Sequence, residues 1–120
     1  MGMNEQVDEG EDYRVKLCFY VPVDAVEAVK AAVFAAGAGA MGSYQECAWQ
    51  TLGQGQFRPL KGASPSVGTI GELACVPEYK VEVLCSRHTA AAVEAALLEA
   101  HPYEEPAYDF SPVWRRPLKC

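Results

Sequence analysis

The chain has 120 residues, of which 50% are hydrophobic, 22% charged and 10% aromatic, a composition that suits one compact domain with one core and excludes fibrous and disordered classes. Sixteen acids against ten bases give a formal charge of -6, the wrong sign for binding a phosphate backbone, so nucleic acid is not an expected partner. Five cysteines without a Cys-x-x-Cys pair, an acidic amino-terminus unlike a signal peptide and no apolar run of membrane length predict a cytoplasmic chain with reduced thiols and no membrane contact.

Residues 1–12 carry five of the acids, Glu5, Asp8, Glu9, Glu11 and Asp12, and read as a disordered acidic tail. The single domain is expected over 13–120, where eleven acids against ten bases leave a charge of -1. From Tyr13 the residues alternate, with Val15, Leu17, Phe19 and Val21 on one face and Lys16, Cys18 and Tyr20 on the other, which predicts a strand with one buried face. Val26, Val29, Val33 and Ala36 then recur at helical spacing ahead of Gly37 and Gly39, with Asp24 as an expected cap and Glu27 three residues on, so a helix is predicted from about Ala25 to Ala36.

Tyr44, Cys47, Trp49 and Thr51 suggest a second strand that ends at Gly53. Residues 53–71 are rich in glycine, proline and serine and read as a long loop for a ligand or partner, with a short strand conceivable at Phe57–Leu60. Tyr79, Val81, Val83 and Cys85 alternate as a third strand, Val93, Ala96, Leu97 and Ala100 share a helical face, and Ala107–Ser111 alternates as a fourth strand that Pro112 is expected to stop. Val15–Leu17 over Val81–Val83 and Val26 over Val93 give two similar halves offset by 66 or 67 residues. This order is the α+β, ferredoxin-like (βαβ-βαβ) sandwich, an antiparallel sheet with two helices on one face. The other face then needs a cover, which predicts a homo-oligomer.

His101-Pro-Tyr-Glu-Glu-Pro-Ala-Tyr-Asp109 is the densest polar segment. His101 and Glu104, joined by Cys47, offer imidazole, carboxylate and thiolate ligands suited to a divalent metal such as zinc or copper. Against this stands a rigid surface corner between two prolines. Tyr44, Trp49 and Phe57, with Gln50, Gln56 and Arg58, read either as sheet and interface packing or as an apolar pocket with a few directional groups. Gly53-Gln-Gly-Gln-Phe57 lacks the Gly-Lys-Ser/Thr ending of a phosphate loop. Cys47 as nucleophile with His101 as base is a third, enzymatic reading that requires the fold to bring them together. Cys18, Cys75 and Cys85 are expected to behave as small core hydrophobes, and Cys120 as an exposed terminal thiol.

Gly42-Ser-Tyr-x-x-Cys-x-Trp-Gln-Thr-x-Gly-x-Gly-Gln-Phe-x-Pro-Leu, Pro65-x-x-Gly-x-x-Gly71 and His101-Pro-Tyr-Glu-Glu-Pro-Ala-Tyr-Asp together resemble the YqfO-type PII/CutA-like domain, which occurs alone or inserted within dinuclear-metal proteins of the Nif-three-like family. The resemblance covers Tyr13 to about Pro112. It implies a ferredoxin-like homotrimer, with residues 53–71 as an arm toward a protein partner. It also implies a small intersubunit pocket built from Tyr44, Cys47, Trp49, His101, Tyr103 and Glu104. The dinuclear metal site of the long family members belongs to their main domain, so the resemblance implies a non-enzymatic regulatory module that binds a ligand or metal, with a purely structural or partner-binding module as the alternative.

Overall fold

A computed structural model describes residues 14–113; the acidic tail, Tyr13 and Cys120 lie outside them. Four strands, β1 (Arg14–Pro22), β2 (Trp49–Phe57), β3 (Ala74–Ser86) and β4 (Tyr108–Val113), and two helices, α1 (Val26–Ala35) and α2 (Ala90–Ala100), follow in the order β1-α1-β2-β3-α2-β4. The strands form one sheet in the order β2-β3-β1-β4, and all three pairings are antiparallel. This is the ferredoxin-like arrangement expected from the alternation.

Register explains the core. Val15 faces Cys85, Leu17 faces Val83 and Phe19 faces Val81 across β1 and β3, and directly opposite residues share a sheet face. Leu17, Phe19, Val81, Val83 and Cys85 are all buried, together with Val26, Val29 and Val33 of α1 and Val93 and Leu97 of α2. The 66-residue offset therefore relates positions of one core, and both helices lie on this face.

The opposite face is mixed. Lys16, Cys18 and Tyr20 of β1 lie beside Leu84, Glu82 and Lys80 of β3, and Trp49 faces Glu82. Lys16 Nζ and Lys80 Nζ reach Glu82 at 3.2 and 3.6 Å, and the hydrogen bond from Lys16 leads the effects that hold this carboxyl below its usual pKa.

Several boundaries differ from those expected. The chain enters α1 through a 3₁₀ turn, Val23–Ala25, and neither turn nor helix has a side-chain cap, so Asp24 does not cap. β2 begins at Trp49 and continues through Gly53 and Gly55 to Phe57, and β3 begins at Ala74. The loop between them is thus 58–73 rather than 53–71. As an edge strand β2 has no ladder on one side and tolerates glycines that would weaken an interior strand. β4 runs through Pro112 to Val113, because an edge strand has one side on which a missing N–H costs nothing. Cys85 is buried as expected, but Cys18 is half-buried and Cys75 exposed. Cys75 pairs with Gln56, beyond the point where β1 ends at Pro22 opposite Glu78.

No helix among the described residues is long and apolar enough to cross a membrane.

Candidate functional site

Where β1 stops, β2 and β3 continue as a two-stranded ribbon, and the 101–107 connection between α2 and β4 comes alongside it. His101 joins the two. Its Nε2 is 2.7 Å from the Tyr20 carbonyl, and its Nδ1 accepts the Tyr103 backbone N–H at 3.1 Å. A carbonyl can only accept and an amide N–H can only donate, so the ring is neutral with its proton on Nε2. It is 6% exposed, and burial depresses its pKa from 6.5 despite opposing effects of the Tyr20 carbonyl and Glu78. Tyr20 also donates its N–H to Ala107 O at 3.2 Å, so both backbone groups of Tyr20 bind the 101–107 corner.

Fixed in this way, Tyr103 turns its hydroxyl to Glu78 Oε2 at 2.8 Å and its ring to Phe57, centroids 5.9 Å apart and tilted by 59°. Burial is the leading cause of a strongly raised phenol pKa, reinforced by the hydrogen bond to Glu78, so the phenol keeps its proton and remains a donor. Around this pair lies a hollow of about 400 Å³, walled by the ribbon, the 58–73 loop and the corner. The loop is fastened on itself by Arg58 Nη1 to Gly71 O at 2.9 Å and Gly71 N to Pro59 O at 2.7 Å. It is fastened to the corner by Ser64 N to Glu104 Oε1 at 3.0 Å.

Phe57, Arg58, Tyr103 and Glu104 therefore meet at one hollow. Tyr44, Cys47 and Trp49 do not join them. Tyr44 is 74% exposed in a tight turn where it exchanges backbone hydrogen bonds with Met41. Cys47 precedes β2 instead of lying within it, and lines a separate hollow of about 220 Å³ with Trp49, Lys16 and Glu82. Trp49 faces Glu82 while Gly53 faces Glu78, four residues or about 13 Å away along β3. Cys47 and His101 thus stand at different ends of the sheet within one chain. Both ring nitrogens of His101 are engaged, and no group of three or more His, Cys, Asp or Glu side chains among the described residues is placed to hold a metal ion.

Glu78 lines the same hollow and is absent from the residues expected from the sequence. In sequence it is one charged residue of a third strand. Its distinguishing mark is a glycine diagonal to it on β2: Gly53 stands directly opposite Glu78, but it is a Cβ at Gly55 that would overlap the Glu78 carboxylate, so Gly55 is the gap over which that side chain lies. The Gly-x-Gly of residues 53–55 was the available signal.

No family model matches the chain. Over 94 residues it is 53% identical to a Mycobacterium leprae protein named GTP cyclohydrolase 1 type 2 homolog, which covers 78% of this chain and 24% of that protein. A Bacillus cereus protein related to NIF3 superposes with a TM-score of 0.74 at 35% identity, over 87% of this chain and 26% of that one. The CutA divalent cation tolerance protein of Archaeoglobus fulgidus superposes with a TM-score of 0.60 over 89% of this chain and 88% of that one. At 15% identity this last likeness concerns the fold alone. The chain spans about a quarter of the length of the curated relatives it matches.

Proposed function

Because the chain is homologous to one segment of the NIF3-related proteins and has the CutA fold, we propose that it is a non-enzymatic oligomeric module. In this reading three copies assemble, a small ligand sits in the 400 Å³ hollow, and its presence is passed to a partner protein through the 58–73 loop. The observation that supports it is the convergence of Phe57, Arg58, Tyr103 and Glu104 on one hollow whose loop is fastened to itself by Arg58 and to the corner by the Ser64 N–H on Glu104. Its volume lies within the range of small-molecule sites, and its lining joins apolar walls to a few oriented polar groups. The relatives whose name mentions a cyclohydrolase are about three times as long, and the matched segment is about a quarter of each. With Cys47 and His101 apart, a thiol and base pair gains no support within one chain.

The test is sedimentation velocity at micromolar concentration, then a small-molecule screen read by amide NMR shifts. The reading expects a species of three chains and saturable shifts at residues 55–59 and 103–107. A monomer defeats the assembly, and shifts confined elsewhere defeat the hollow. Zinc and copper belong in the same screen, because an intersubunit metal site using Cys47, His101 and Glu104 would require His101 to release the Tyr20 carbonyl or the Tyr103 N–H, which the amide shift of Val21 or of Tyr103 would report.

A second reading, a module that only docks a partner, is favoured by Leu60, Val67, Ile70 and Leu73, four aliphatic side chains exposed between 39% and 66% on or beside the loop. Aliphatic groups so exposed on one loop are a common mark of a protein interface. If they serve only docking, substitutions at Phe57 and Tyr103 will change assembly stability and leave ligand shifts absent.

A further inference from the structure

The lining of the hollow is unevenly charged. Among the described residues its titratable lining consists of Glu78, Glu104 and Glu105 against a single base, Arg58, with the phenols of Tyr20 and Tyr103. Arg58 is hydrogen-bonded to the Gly71 carbonyl, and Glu104 accepts the Ser64 N–H. The Glu78 carboxylate is different. One oxygen, Oε2, takes the Tyr103 hydroxyl proton at 2.8 Å. The other, Oε1, is the atom nearest to where a Cβ of Gly55 would stand, so it lies over the bare backbone of a residue that lines the hollow. No donor among the described residues reaches it.

These features act together. A cavity ligand that covered Oε1 without donating a hydrogen bond would strip water from a charged acceptor and return nothing. An anion would meet three carboxylates with one committed guanidinium as compensation. A cation with N–H groups would satisfy Oε1, and its neighbours would find the Phe57 and Tyr103 rings, whose faces attract positive charge. A bare metal ion would find too few ligands. Resting on the reading of this hollow as a ligand site, we infer that it takes an organic ammonium with an apolar body, with Glu78 Oε1 as the acceptor and the two rings as the wall.

The test compares three probes that share a phenylethyl body, 2-phenylethylammonium, 2-phenylethanol and 3-phenylpropionate, titrated into the full chain at constant ionic strength while the amides of Gly55, Glu78 and Tyr103 are followed by NMR. The ammonium is expected to bind about tenfold tighter than the alcohol, in line with a hydrogen bond to a charged acceptor, and the propionate to produce no saturable shift. Glu78→Gln is expected to remove that tenfold advantage and leave the alcohol unchanged. The probe series on the wild-type chain stands on its own if Glu78→Gln does not fold. Equal binding by the alcohol or the propionate at these amides overturns the charge preference and keeps the hollow. An unchanged ammonium affinity in a folded Glu78→Gln also overturns it. Shifts with none of the three defeat both the preference and the hollow as a ligand site.

Discussion

At the scale of single residues the most consequential group is His101, a neutral imidazole that spans two backbone groups. Removing it leaves the Tyr20 carbonyl and the Tyr103 N–H without their partner, so His101→Ala should cost about 1–3 kcal/mol in chemical unfolding. Its protonation has a defined sign. The folded pKa is depressed below 6.5, mainly by burial, so the unfolded chain takes the proton more readily. The stability from the neutral ring is complete above pH 6.5 and is lost as the pH falls toward and through the folded value. Thermal melts should therefore drop between pH 7 and 5, and the drop should be smaller in His101→Gln; an equal slope in both proteins refutes the assignment. Tyr103→Phe keeps the ring and removes the bond to Glu78, for an expected loss of about 1 kcal/mol.

Glycine positions separate elements built on backbone from those built on side chains. Gly39 has φ +84°, and a Cβ there would stand 3.1 Å from Cys47 N and O, in a segment where Gly39 O accepts the Cys47 N–H and Gly39 N donates to Leu84 O. Gly39→Ala must displace backbone and adopt a left-handed conformation, so it should cost about 2 kcal/mol or more. Gly55→Ala meets only the end of the Glu78 side chain, which can swing away. Its unfolding free energy should change by about 1 kcal/mol or less, while the Tyr103 hydroxyl loses its acceptor and the hollow its oriented carboxylate; comparing denaturant midpoints of the two variants checks both. The same contrast explains what the sequence disclosed. Alternation in β1 and β3 and the valine spacing of α1 revealed the fold and nearly all of the core, because burial leaves a periodic mark. Gly53 and Gly55 concealed the second half of β2, since glycine has the same appearance in a turn and under a crossing side chain. Pro112 concealed the end of β4, because one sequence does not reveal which strand is an edge. Phe57, Arg58, Tyr103 and Glu104 were legible by chemical type, whereas Glu78 acquires its role from register, which composition does not encode. Tyr44, Cys47 and Trp49 join Phe57 through neighbourhood along the chain and Tyr103 and Glu104 through the resemblance; within one chain the pairing of Trp49 with Glu82 sets Trp49, with Cys47 beside it, toward the other end of the sheet.

For the whole molecule, the face away from the helices decides what a second copy would meet. Trp49 is 64% exposed there, beside the ion pairs of Glu82 with Lys16 and Lys80. If copies pack through this face, Trp49→Ala should leave the helix-side core intact, with an unchanged circular dichroism spectrum, and raise the dissociation constant of the assembly by tenfold or more, as expected for an aromatic side chain central to an interface. Sedimentation equilibrium reads that constant, and an unchanged value places the contact elsewhere. Leu97→Ala is the contrasting substitution. It empties a fully buried site between α2 and the sheet and should cost about 2–5 kcal/mol without a separate effect on association.

The ribbon formed by residues 54–57 and 74–77 pairs only with itself beyond Pro22. Among the described residues no third strand shares its ladder, so its amides should exchange with solvent by local opening, before the amides of Val81–Cys85. A molecule held against this wall of the hollow would be measured first as slowed exchange in the ribbon. Part of its binding free energy would be spent on ordering two short strands that the remainder of the sheet leaves free to breathe.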